Sequence, residues 1–148
     1  MKKSVLVISK EHIDFIGEHG EEAYPGEACG IILGHIEDKE DGIFFITKDL
    51  KRAKNLSDNP LRFYLDPKDF LQIQEEADKN GLEIIGIYHT HPDHPPIASQ
   101  YDLESAIEGL FYLILSILGG KPANFKGWVL DQESKVRKFV ESEVRIIK

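Results

Sequence analysis

Cysteine is nearly missing from this sequence: Cys29 stands alone among 148 residues. A single thiol excludes an internal disulfide framework and any CxxC metal motif. Flanked by Ala28 and Gly30, it reads as a buried, inert group, and no His-Asn or His-Asp arrangement accompanies it that would mark a cysteine nucleophile. Long hydrophobic runs are also lacking. The longest, residues 110–118, falls far short of the roughly 20 residues that span a bilayer, and Met1-Lys2-Lys3 does not lead into a signal-like apolar segment. A cytoplasmic protein with no membrane partner is the expectation. Cations are scarce relative to anions: 18 Lys and Arg stand against 26 Asp and Glu, a formal net charge of -8. Nucleic-acid binding needs clustered cations that displace counterions, so the balance argues against it and suits a partner that presents basic residues. The one locally basic stretch, residues 48–54, reads as a solvated strand end or loop. No H-E-x-x-H occurs, and no H-x-E paired with P-C-x-x-C, which removes the zincin and nucleobase-deaminase signatures. Repeats and low-complexity tracts are missing too, and no feature of the chain specifies an oligomeric state.

What is present suits one domain over residues 1–148. A content of 41% hydrophobic and 30% charged residues supplies a sizeable core and a well-solvated surface. Residues 5–8 predict a short strand, and residues 11–22 a helix with Ile13, Phe15 and Ile16 inward and Ser9 as cap. Pro25 and Gly26 end that helix. Residues 29–35 and 43–50 predict a β-hairpin across a turn at 38–42. Residues 62–65 predict a further short strand. Asp66-Pro67 then opens a helix to about residue 80, stopped by Gly81, with Phe70, Ile73 and Ala77 as its core stripe. A buried strand at 82–88, a helix over 99–108 and a fully buried strand at 111–118 follow. A turn at 119–122 leads to closing strands at 125–130 and 136–144, with Trp128 as a packing aromatic. These elements specify an α/β fold with a mixed, curved β-sheet flanked by helices.

The chemistry concentrates in His89-Thr90-His91, Ser99 and Asp102. Side chains at i and i+2 of a strand share a face, so the two imidazoles converge. Asp102 would arrive from the first turn of the helix that begins near Ser99, adding a carboxylate as third ligand. A zinc ion held by three such groups keeps a fourth tetrahedral position for water, the arrangement of catalytic rather than structural sites. Each piece also has a plainer reading. Ser99-x-x-Asp102 ahead of Leu103, Ala106 and Ile107 is a capping box, and a His-x-His pair is weak evidence on a half-exposed strand. The two readings coexist, because a helix N-terminus fixes the geometry that a ligand and an oxyanion donor both require. His94, in a loop stiffened by Pro92, Pro95 and Pro96, reads as a solvated histidine rather than an extra ligand.

These residues fit the pattern H-[ST]-H-x7-S-x2-D, and the run from Pro25 through Glu27 and Cys29-Gly30 to Gly34 fits P-x-E-x-C-G-x-x-x-G. In both motifs the chain resembles the JAMM (MPN-plus) zinc metalloproteases of compact prokaryotic type. It departs at Ala98, where many relatives carry proline before the serine. The resemblance implies the JAMM/MPN fold, more distantly similar to the cytidine-deaminase-like fold. It implies one zinc ion held by His89, His91 and Asp102, with Glu27 as general base and Ser99 stabilising the oxyanion. It further implies hydrolysis of the amide bond after the C-terminal Gly-Gly of a ubiquitin-like or sulfur-carrier protein, whose tail would be the partner. Exposed edges of the expected sheet offer strand addition as one docking mode for such a tail. Without the motif, Glu27 reads as a solvated loop acid. The alternative class is an MPN-type scaffold that binds protein partners and cleaves nothing. Such relatives lose ligands, whereas every one of these positions is filled here.

Overall fold

Ser9 closes β1 (Ser4–Ser9) and caps α1 (Lys10–Ala23), its hydroxyl accepting from the His12 N–H at 3.1 Å. The computed structural model describes residues 2–59 and 61–148. β2 (Cys29–Lys39) and β3 (Gly42–Ala53) form the expected hairpin, both longer than expected and joined by Glu40-Asp41 alone. Asp66 caps α2 (Pro67–Lys79) by accepting from the Lys68 N–H, with Pro67 at its first position. β4 (Glu83–Pro92), α3 (Gln100–Ser105), β5 (Phe111–Leu118), β6 (Lys121–Leu130) and β7 (Phe139–Ile147) complete the order.

The class is the mixed α/β one expected, but the sheet closes on itself. The strands run β1-β3-β2-β4-β5-β6-β7, and β1 pairs in parallel with both β3 and β7, making a barrel where an open curved layer was anticipated. Closure shortens the exposed strand edges without removing them: β1 registers with β3 only from Ile43 to Ile46, so residues 47–53 of β3 are paired with β2 alone. Along β2 the side chains alternate between two cores. Ile32 packs with Leu6, Ile16 and Tyr88 on the α1 side, whereas Ile31 and Leu33 pack with Ile73 and Ala77 of α2. Strands covered on both faces read as continuous apolar runs. Gly30 lies opposite Tyr88 across the β2–β4 ladder, and a Cβ at Gly30 would sit 2.2 Å from the Tyr88 ring. The missing side chain lets the largest fully buried aromatic lie across the pair.

Four expected elements change. Residues 62–65 contribute only an isolated bridge between Asn55 and Leu65, because the Asn55 carboxamide takes the Tyr64 N–H and the Arg62 carbonyl that a ladder would have used. The helix expected to reach residue 108 stops at Ser105. There the Arg137 guanidinium donates to the carbonyls of Leu103 and Ala106, and the Tyr112 hydroxyl accepts the Ile107 N–H at 2.7 Å. The turn expected at 119–122 is narrower: Gly119 and Gly120, at φ 57° and 83°, make it, and β6 already begins at Lys121. β7 starts at Phe139 rather than 136, since the Val136 N–H turns back to the Ser134 hydroxyl. No helix among the described residues is long and apolar enough to cross a membrane.

Candidate metal centre

Alternation along β4 aims two imidazoles at one place. Tyr88 packs in the α1-side core and Thr90 touches Gly20 of α1, while Ile87 and His89 face the opposite side toward Phe63. His91 follows on that side, its ring centroid 5.1 Å from that of His89. Cys29 pairs with His89 in antiparallel register. Just beyond the strand end the Thr90 hydroxyl accepts from the Ala28 N–H at 2.9 Å, and the Ala28 carbonyl accepts the Thr90 N–H at 3.1 Å. That continuation of the ladder brings Glu27 against the histidines, 6% exposed, where a solvated loop acid would have been the plainer outcome.

Asp102 arrives from α3 as expected. Both arms of the capping box are made: the Asp102 N–H donates to Ser99 Oγ at 3.0 Å, and the Ser99 N–H donates to Asp102 Oδ2 at 2.9 Å. The same carboxylate lies 3.2 Å from His91 Nε2 and 3.5 Å from His89 Nε2. Glu27 Oε1 lies 3.3 Å from the other His89 nitrogen, Nδ1. Glu27, His89 and His91 can each offer a ligand atom within 4.8 Å of one another, and Asp102 borders the same histidines, so four donors gather. Two ligand sets can be drawn from them. One uses His89, His91 and Asp102, and the other replaces Asp102 with Glu27.

Burial tests whether such a group belongs there. His89 is 0% exposed, and His91 and Asp102 are 7% and 5% exposed. Among the described residues, both His89 nitrogens and Glu27 Oε1 have no hydrogen-bond partner. Buried polar atoms left unpaired are costly, and buried carboxylates require a compensating cation. A divalent ion among two imidazoles and two carboxylates meets both demands, and nitrogen and oxygen donors suit zinc. His91 Nδ1 donates to the Pro95 carbonyl at 2.9 Å, so Nε2 is the nitrogen that faces the cluster: protonated it donates to Asp102, and deprotonated it offers its lone pair to a cation. Burial is the largest single influence on both and opposes charge on His91 and on Asp102, but it is outweighed by their mutual hydrogen bond together with the backbone hydrogen bonds and neighbouring charges. The His91 pKa is raised, and that of Asp102 is held at about 2 with help from His89 and the Ser99 N–H. Burial, with the Glu27 and Asp69 carboxylates, pushes the Cys29 thiol up to about 12, in keeping with an inert cysteine.

The donors lie between two cavities. One of about 300 Å³, lined by Phe63, Tyr101, Ile107 and Tyr112, reaches His89 and Asp102. Another of about 310 Å³ is lined by Glu27, Leu61, His91, His94, Ile97 and Ser99. Ser99 is therefore at the rim, sharing a cavity with Glu27. His94 is exposed in that cavity and stands outside the cluster of donors. Two features escaped the sequence reading. Phe63 stacks on His89 at 4.4 Å and 27°, although its segment carried no sign of contact with the site. Thr90 orients the Glu27 segment through the face of β4 turned away from the histidines.

Similarity to known proteins extends over most of the chain. The family model described as prokaryotic homologs of the JAB domain matches residues 9–131. The chain is 30% identical over 121 residues to a desampylase of Pyrococcus furiosus, covering 82% of this chain and 75% of that one. It is 27% identical over 146 residues to a desampylase of Haloferax volcanii, covering 95% and 100%. A probable TtuB-protein conjugate cleaving protease of Thermus thermophilus is 33% identical over 66 residues, 44% of this chain and 45% of that one. The solution structure of a protein from Desulfitobacterium hafniense superposes with a TM-score of 0.80 at 26% identity, over 97% of this chain and 93% of the other. One from Salinibacter ruber gives 0.70 at 31% identity, over 99% and 92%. The chain belongs to the prokaryotic homologs of the JAB domain, the compact prokaryotic members of the JAMM family.

Proposed function

We propose that this chain is a zinc-dependent isopeptidase or peptidase that hydrolyses the amide bond after the C-terminal Gly-Gly of a ubiquitin-like or sulfur-carrier protein. The observation that carries this reading is the buried convergence of Glu27, His89, His91 and Asp102, with both His89 nitrogens and Glu27 Oε1 left without a hydrogen bond among the described residues. The names of the relatives, two desampylases and a conjugate-cleaving protease, support the substrate class. In this reading His89, His91 and Asp102 hold one zinc ion. The chemistry zinc supplies when bound is Lewis acidity, which polarises a carbonyl and lowers the pKa of bound water from about 15.7 to near 7. Glu27 accepts the proton of the attacking water and returns it to the leaving amine. Its carboxylate is free for this, since no described protein group hydrogen-bonds its Oε1. Ser99 spends its oxygen lone pair on the Asp102 N–H and keeps its hydroxyl proton available to the developing oxyanion.

No connection between the elements from β1 to β7 is longer than residues 54–66, which leaves little room for insertions that position both partners of a ubiquitin chain and favours a small substrate tail. The test incubates the zinc-loaded protein with a cysteine-extended sulfur carrier and with diubiquitin, following both by mass spectrometry. Release of cysteine from the carrier is the expected result. Cleavage of diubiquitin with the carrier untouched reverses the substrate preference, and no cleavage of either by fully loaded protein supports the silent scaffold instead.

A further inference from the structure

We propose that Asn55 is a positioning residue for Glu27, tying the segment that carries this carboxylate to the loop over the metal donors so that the two hold their places together. The inference rests on the general-base reading of Glu27 and adds a residue to it. Glu27 lies between α1 and β2 in a stretch without helix or strand, and its Oε1 has no described hydrogen-bond partner. Oε1 approaches His89 Nδ1 at 3.3 Å, and the backbone behind it sets where the carboxylate stands. On one side, the Ala28–Thr90 pair fixes that backbone to β4. On the other, Asn55 Nδ2 donates to the Glu27 carbonyl at 3.0 Å.

The remaining capacity of Asn55 goes to the loop. Nδ2 also donates to the Arg62 carbonyl at 3.1 Å, and Oδ1 accepts from the N–H groups of Ser57 and Tyr64, both at 2.9 Å. A carboxamide offers two donors and two acceptor sites, and all four are used by three separate places in the chain. Aspartate would keep the size and lose both donors; serine reaches with one. The loop so tied presents Phe63 to the His89 ring, Leu61 to the cavity that holds Glu27 and Ser99, and Tyr64 to the cavity behind His89. Leu61 and Tyr64 are 57% and 54% exposed, so a tail resting on them pushes on the same knot that holds the base.

The test compares Asn55→Asp and Asn55→Ala with the parent protein, all zinc-loaded, by amide hydrogen exchange, zinc stoichiometry, and kcat and KM. Expected are faster exchange at both residues 25–28 and residues 55–65, unchanged exchange in β4 and full zinc content. The expected kcat loss is about 10- to 100-fold, typical of partners that orient reacting groups, with little change in KM. In a Glu27→Gln background, Asn55→Ala should lower residual turnover no further. Exchange that rises in 55–65 alone, or a kcat that survives with the fold intact, would overturn the proposal and make Asn55 a turn residue only. Should Asn55→Ala fail to fold, Asn55→Asp carries the same comparison. If the parent protein cleaves neither substrate, the general-base reading fails by itself, and the exchange pattern still decides whether the two segments are tied.

Discussion

Asp102 and His91 meet at 3.2 Å, Oδ2 to Nε2, while the far nitrogen of the same imidazole is committed to the Pro95 carbonyl. That commitment orients Nε2 toward the cluster, and the capping box orients the carboxylate. Asp102→Asn preserves volume and can preserve the cap, but it removes the negative charge that a divalent cation requires. Its zinc affinity is expected to fall at least about 100-fold, the upper end for outer-shell partners and a lower bound for a direct ligand. Turnover should vanish with the metal. Chelator competition measures the affinity, and thermal unfolding of the metal-free forms checks the cap. Full zinc retention would assign the ligands to Glu27, His89 and His91.

Glu27→Gln separates the two ligand sets from the opposite direction. The amide fills the same space beside His89 Nδ1 and cannot take a proton. Zinc should remain at the parent stoichiometry while kcat drops by roughly 10²- to 10⁴-fold, the usual contribution of a general base. Elemental analysis and cleavage rate on one sample provide the comparison, and loss of zinc would make Glu27 a ligand.

Ser99 carries a helix cap and, in the proposed reading, an oxyanion donor, and the two roles have different magnitudes. Ser99→Ala removes the acceptor for the Asp102 N–H, which should cost about 1 kcal/mol of stability. Loss of the donor should lower kcat by about 100-fold, roughly 3 kcal/mol of barrier. Denaturant unfolding and single-turnover cleavage read the two separately. A stability loss with kcat intact would leave Ser99 as a cap alone.

The site was more legible in the sequence than the sheet that carries it, for a physical reason. His89 and His91 share a face through strand alternation, and Ser99 and Asp102 meet through a helix cap, so each pair is fixed within a few residues. Glu27 depends on the distant register of Cys29 with His89, and only its motif announced it. Barrel closure rests on parallel pairs such as Val5 with Glu143, which no turn residue marks. The end of α3 is set by Arg137 from another part of the chain, and the missing strand at 62–65 by the side chain of Asn55. In each case a long-range partner outcompeted the local pattern.

Behind the metal face, His19 Nδ1 of α1 shares a hydrogen bond with the Tyr88 hydroxyl at 2.7 Å, with the two rings edge to face. Burial first, then the nearby Arg52, lowers the His19 pKa from 6.5 to about 4, with Glu22 opposing. Since the folded value lies below the unfolded one, folding favours the neutral ring. Its contribution is fully present above the unfolded pKa and is lost as pH falls from 6.5 toward 4. The usual conversion gives at most about 3 kcal/mol, reduced by water that reaches a half-buried ring. His19→Gln keeps a hydrogen-bond partner for the Tyr88 hydroxyl and removes the titration. Between about pH 7 and 4.5 the parent protein should therefore lose more unfolding free energy than the variant, a difference in which carboxylates common to both proteins cancel. Parallel curves from chemical denaturation at the two pH values would place the acid sensitivity in another group.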